Sequence, residues 1–131
     1  MKSPKTSKQR AEARGRNAEW FAALVLILKG YRILDRRART GMGEIDLVVS
    51  KGNVLAMVEV KARSTLPACY AAITPEHKGR QARAAIAWIA RHRWAKNYVL
   101  RFDLMAATPG KLPRHVLDAW RPLGDVLKGE K

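Results

Sequence analysis

The stretch Glu44-Ile45-Asp46-Leu47-Val48-Val49, interrupted at Lys51-Gly52-Asn53 and resumed as Val54-Leu55-Ala56-Met57-Val58-Glu59-Val60-Lys61, decides the fold. Both halves are rich in β-branched and aliphatic residues and a glycine-containing turn divides them, so they read as an antiparallel hairpin. Side chains alternate faces along a strand. Glu44 and Asp46 are therefore expected on one face opposite Ile45 and Leu47, and Glu59 and Lys61 on one face opposite Val58 and Val60. Whether the two acidic sets meet depends on the loop. A two-residue loop at Gly52-Asn53 pairs Lys51 with Val54, and stands Asp46 opposite Glu59 and Glu44 opposite Lys61. A four-residue loop from Ser50 to Asn53 keeps the same faces, whereas a three-residue loop separates Asp46 from Glu59.

Upstream of the hairpin, a helical pattern begins at Ala11, with Ala18, Phe21, Ala22, Val25 and Leu28 on one stripe and Gly30 as its stop. Trp20, Leu24 and Leu26 widen the stripe, so burial on more than one side is expected. Residues 1–10 carry four positive charges, no acid and no large apolar residue except Met1. They are expected to form a basic arm that burial cannot order, leaving 11–131 as one domain. Tyr31 to Arg39 fits a first strand. Downstream, Thr74-Pro75-Glu76 marks a helix start, running to about Arg93 with Ala82, Ala85, Ile86 and Ile89 inward and Arg80, Arg83, Ala84, Ala87 and Arg91 outward. Tyr98 to Ala106 alternates as a further strand. Val116 to Trp120 fits a short strand or a helix equally.

The pattern predicts an α/β fold: a mixed sheet with this hairpin near its centre and helices 11–29 and 75–93 packed on it. A chain of 131 residues has room for one hydrophobic core. Its 26 Lys and Arg against 11 Asp and Glu give a net charge of +15, which favours a polyanionic partner, nucleic acid before an anionic membrane surface. The longest apolar run, Phe21 to Leu28, falls far short of the roughly 20 residues a membrane span needs. It is followed by Lys29-Gly30-Tyr31-Arg32 instead of a small-residue cleavage site, so it does not read as a signal peptide. A single cysteine, Cys69, excludes an internal disulfide and fits a reducing cytoplasm; three scattered histidines offer no zinc spacing. No Walker-type or dinucleotide glycine motif occurs.

Two carboxylates facing each other across a sheet repel unless a cation sits between them. Asp46 and Glu59 in that arrangement would suit Mg²⁺ or Mn²⁺, hard ions that keep several waters and accept phosphate oxygens, with Lys61 beside them to hold water or offset charge. The competing reading is a set of ordinary cross-strand ion pairs on a solvated face.

Gly43-Glu44-Ile45-Asp46-Leu47-Val48 with Val58-Glu59-Val60-Lys61-Ala62-Arg63 closely resembles the YraN-type family of small bacterial proteins, over about Gly15 to Met105. That family is placed in the PD-(D/E)xK nuclease superfamily, similar in fold to archaeal Holliday junction resolvases and restriction endonucleases. The resemblance implies a restriction-endonuclease-like fold and a Mg²⁺- or Mn²⁺-dependent endonuclease acting on DNA, branched or otherwise structured. It matches Asp46 and Glu59 to metal-binding acids, Lys61 to the catalytic lysine, and Glu19 to an acid on the first helix that binds metal or water. Ile45 stands where the superfamily usually has proline. Glu44 is either an outer group orienting Lys61 or its ion-pair partner. The resemblance also places Lys78 and Gln81 beside the site.

Lys61 to Arg101 holds nine Lys or Arg and one acid, Glu76. Arg63, Lys78, Arg80, Gln81, Arg83 and Arg91 are thus the expected nucleic-acid contacts. Trp88, Trp94 and Trp120 fit either base stacking or packing. Resolvase-like relatives tend to be homodimers, for which Trp94 or Trp120 would supply a contact, although no heptad accompanies them. The alternative to an enzyme is a nucleic-acid-binding module that keeps the fold and the acids without turnover.

Overall fold

The computed structural model describes residues 6–122. Its elements are α1 (Ser7–Leu28), β1 (Arg32–Thr40), β2 (Gly43–Lys51), β3 (Val54–Ala62), α2 (Leu66–Ala71), α3 (Pro75–Arg91), a 3₁₀ turn (Arg93–Ala95), β4 (Val99–Ala107) and β5 (Arg114–Val116). The five strands form one mixed sheet in the order β1-β2-β3-β4-β5, flanked by helices as expected and consistent with a restriction-endonuclease-like fold. All neighbours are antiparallel except β3 and β4, and the crossover that a parallel pair demands is supplied by α2 and α3.

Helix α1 begins at Ser7, four residues earlier than its apolar stripe suggests. Thr6 accepts from the Gln9 N–H while the Gln9 side chain accepts from the Thr6 N–H, and this reciprocal cap overrides the run of charge. Residues 7–10 of the expected arm are therefore helical; residues 1–5 lie outside the described residues. The helix stops as expected at Gly30, whose φ of +94° only glycine adopts freely. There the Gly30 N–H donates to Ile27 and the Tyr31 N–H to Leu26, satisfying the last carbonyls.

Two apolar layers hold the sheet. On one face Ala22, Ala23 and Leu26 of α1 meet Leu47, Val49, Ala56, Val58 and Met105. On the other, Ala84, Ala85 and Trp88 of α3 cover Ile45, Val48, Leu55, Met57, Phe102 and Leu104. Only one side of α1 is buried, contrary to the wider stripe read from sequence. Trp20, Phe21, Leu24, Ile27 and Leu28 are exposed because no second layer lies over them among the described residues.

On α3 the inward stripe is rotated from the expected one. Gln81, Ala82, Ala84, Ala85 and Trp88 are buried while Ile86 is exposed, because the large Trp88 indole needs the core and its Nε1–H finds Asp35 at 2.9 Å. Of the segment left open between strand and helix, Val116 to Trp120, only Val116 is strand, the last residue of β5; the rest is neither, and Trp120 stacks on Phe102 with ring centroids 4.2 Å apart. Trp120 and Trp88 are thus core residues, and Trp94 alone of the three nominated indoles is exposed. Helix α2, not expected from sequence, is capped by Thr65 and carries Pro67 in its first turn.

Candidate metal centre

The hairpin closes through the two-residue loop, since Lys51 pairs with Val54 and Gly52 has the positive φ of +59° that such a turn requires. The register then runs to Leu47↔Val58, and Asp46 and Glu59 are the next residue on each strand. Here the regular ladder ends. The Asp46 Oδ2 accepts from the Val60 N–H at 2.8 Å, so a side chain takes the place of the next backbone acceptor and lodges between β2 and β3. The neighbouring strand is distorted at the same level: Arg37, across from Asp46, has a φ of +48°. Alternation slips there, and Ile45 and Leu47, expected on one face, pack into opposite layers.

Glu59 and Lys61 share the α3 face as expected. Glu59 is almost fully buried; its Oε2 lies 3.5 Å from Lys61 Nζ, and its Oε1 lies 2.6 Å from His77 Nε2. His77 sits in the first turn of α3, where its own N–H donates to the capping Thr74 Oγ1. The Asp46 and Glu59 carboxyls are near enough for each to bear on the other's protonation. Burial, then the hydrogen bond to Glu59 and its charge, raise the Asp46 pKa to about 9. Burial also opposes charge on Glu59, but hydrogen bonds from His77 and Asp46 and the Lys61 charge outweigh it, so its pKa is lowered. Protonation is thus favoured on Asp46 and disfavoured on Glu59.

Glu19 reaches the site from α1. Its Oε1 accepts from Arg37 Nε at 2.9 Å, and its charge adds to the forces raising Asp46. Glu44 does not stand opposite Lys61. With the ladder ended, it turns to β1 and pairs with Arg39 at 3.2 Å, so it neither orients nor neutralises the lysine. Gln81, nominated as a nucleic-acid contact, is buried and donates to the Glu44 carbonyl at 2.7 Å, tying α3 to β2. Lys78 is half-buried beside His77; Arg63, Arg80 and Arg83 are exposed with no acid partner among the described residues. Arg91 is exposed but donates to the Arg39 carbonyl.

Sequence reasoning missed His77 and Arg37. A lone histidine carries no spacing signal, although its i, i+4 relation to Gln81 puts both on the helix face that meets the sheet. Arg37 has no such mark, because its place follows from the strand distortion. Among the described residues no group of three or more His, Cys, Asp or Glu could by itself hold an ion. Asp46 and Glu59 offer two carboxylates, which fits a hard divalent ion that takes its remaining ligands from water and phosphate.

The segment carrying these residues matches known proteins as a unit. The family model for uncharacterised protein family UPF0102 matches residues 18–107, from α1 through β4. A UPF0102 protein of Maricaulis maris is 47% identical over 122 residues, 93% of this chain and 95% of that relative. One from Methylobacterium nodulans is 50% identical over 107 residues, 82% and 83% of the two chains. One from Agrobacterium fabrum is 45% identical over 113 residues, 86% and 93%. With the match spanning the whole hairpin, Glu19 and His77, and whole relatives aligned nearly end to end, the chain belongs to the uncharacterised protein family UPF0102.

Proposed function

We propose that the chain is a Mg²⁺- or Mn²⁺-dependent endonuclease of the PD-(D/E)xK type, similar to Holliday junction resolvases, acting on DNA of branched or otherwise structured form. The observation that carries this reading is the two carboxyls brought together where the β2–β3 ladder ends, Asp46 on the Val60 N–H and Glu59 with Lys61 Nζ at 3.5 Å, in a chain of net charge +15. Carboxylates this close are costly unless a proton or a cation joins them. Asp46 and Glu59 would hold the ion, which when bound acidifies a water and offsets phosphate charge. Holding an ion would require Asp46 to be ionised. His77 fixes the Glu59 carboxylate, and Lys61, 3.5 Å from Glu59, would hold the attacking water or counter charge on the phosphoryl oxygens. Arg63, Lys78, Arg80 and Arg83 supply backbone attraction without competing acids. The buried Cys69 thiol, near the Lys61 carbonyl at 3.5 Å, supports a cytoplasmic setting where it stays reduced.

A second reading, a DNA-binding module without turnover, draws on one observation: every buried side-chain polar atom among the described residues has a partner, so the acids are satisfied without a metal. Purified protein incubated with branched, single-stranded and duplex DNA in Mn²⁺, Mg²⁺ or EDTA separates the two. Metal-dependent cutting that disappears in Asp46→Ala and Lys61→Ala, while binding persists, supports the nuclease. Salt-sensitive binding without cutting under any of these conditions supports the module. Among the described residues no helix is long and apolar enough to cross a membrane. Equal binding to anionic vesicles and DNA would overturn both DNA readings.

A further inference from the structure

A cavity of about 900 Å³ opens at the carboxyl ends of β3 and β4, between α1 and the loop that joins β4 to β5. Crevices at this end of parallel strands are where α/β sheets take ligands. Ala18 and Phe21 of α1, Ala62, Ala107, Pro109 and Leu112 make its walls apolar. Its polar groups are Asn17, Ser64 and Thr108, and its charged ones are Arg63 and Lys111, with no acid in the lining. The Phe21 ring is 44% exposed and is braced edge-on by Trp20 at 5.0 Å. A flat apolar ring, small amide and hydroxyl groups, and two cations without an acid beside them are complementary to one chemical class: an aromatic base carrying an anionic backbone.

We infer that this cavity receives an unpaired nucleobase of the DNA strand held at Asp46 and Glu59, stacked on Phe21 with its phosphates on Arg63 and Lys111. This rests on the DNA reading above and extends it to a preference for substrates with unpaired nucleotides. The placement suits it. Lys61 points to the α3 side and Ala62 to the α1 side, so one strand end borders both sites, and Ala62 lies only about 10 Å along β3 from Glu59 at ~3.3 Å per residue. A duplex keeps its bases stacked inside and has nothing to offer such a cavity; an unpaired end or branch does.

The test is anisotropy titration in EDTA with a duplex bearing a three-nucleotide unpaired end and with a blunt duplex of equal length. A 2-aminopurine at the unpaired end reports stacking. Base stacking of about 1–3 kcal/mol predicts at least about 5-fold tighter binding of the unpaired probe, with a change in 2-aminopurine emission. Phe21→Ala should erase both the preference and the emission change, and Phe21→Trp should keep them. Lys111→Glu, on an exposed loop, should weaken the preference without touching α1. Equal affinity for both probes, or a preference surviving Phe21→Ala and Lys111→Glu, overturns the pocket and leaves the DNA reading standing. No binding to either probe overturns both.

Discussion

Asp46 and Glu59 are chemically similar side chains on facing strands, yet they hold opposite protonation states. Glu59 is beside Lys61 and His77, while Asp46 is nearer Glu19 and has only the Val60 N–H in its favour. Asp46 therefore keeps its proton to about pH 9 in the folded chain, whereas in the unfolded chain it ionises near pH 4. Between those values the native state binds more protons than the unfolded state, so this group lowers stability as pH rises. Glu59, with its lowered pKa, contributes in the opposite sense only around and below its ordinary range. Asp46→Asn, which retains the acceptor for Val60 and can donate to Glu59, should therefore be more stable than the parent in EDTA at pH 8. The gain should be about 1–3 kcal/mol and should shrink toward pH 4. Urea titrations across pH check it; a gain that is flat with pH would contradict the proton on Asp46. Mn²⁺ titrated by calorimetry in buffers of different ionisation enthalpy should release about one proton per ion at pH 7, and Asp46→Asn should abolish that release.

At the scale of elements, β4 carries a second buried acid whose role is structural. Asp103 is fully buried on the α1 side and accepts from Arg101 Nε and Nη2, each at 2.8 Å, from His115 Nε2 at 2.8 Å and from the Asp118 N–H at 3.0 Å. Burial disfavours its charge, but these donors outweigh it, and its pKa is lowered. The network holds the three-residue β5 and the turn after it to the sheet edge; Arg101 also donates to the Tyr31 hydroxyl. Asp103→Ala should cost about 1–3 kcal/mol, because it leaves the half-buried Arg101 guanidinium and His115 Nε2 without their acceptor. Denaturant unfolding measures this. Since the folded pKa is depressed, the contribution is present above the unfolded value near pH 4 and lost as pH falls through the folded one. The difference between parent and Asp103→Ala should accordingly narrow in acid.

For the whole molecule, the excess of 15 positive charges meets only a handful of paired acids, and Arg63, Arg80 and Arg83 stay free of them among the described residues. DNA affinity should therefore fall steeply with salt. Replacing Arg63, Arg80 and Arg83 together by alanine should lower the slope of log K against log salt by up to about 3, near 0.9 for each phosphate that is no longer neutralised. A slope unchanged by the triple substitution would move the DNA path to another face. The crossing of β3 to β4 through α2 and α3 gives this charge its position, because it puts the first turn of α3 and the end of β3 at one edge.

Local pattern alone determined the hairpin, the stop at Gly30 and the cap at Thr74, while the loop length, and with it the facing of Asp46 and Glu59, was left to the structure. Alternation, turn chemistry and capping act over a few residues and are written directly in the chain. The tertiary structure decided the rest. Which side of α3 is inward depended on where Trp88 could reach Asp35, and α1 shows an apolar face because no neighbour among the described residues covers it. Glu44 went to Arg39 because the strands part beyond Leu47. His77 joined Glu59 only because a helix distant in sequence packs its first turn on the sheet. Long-range packing sets these partners, and no spacing within one segment records it.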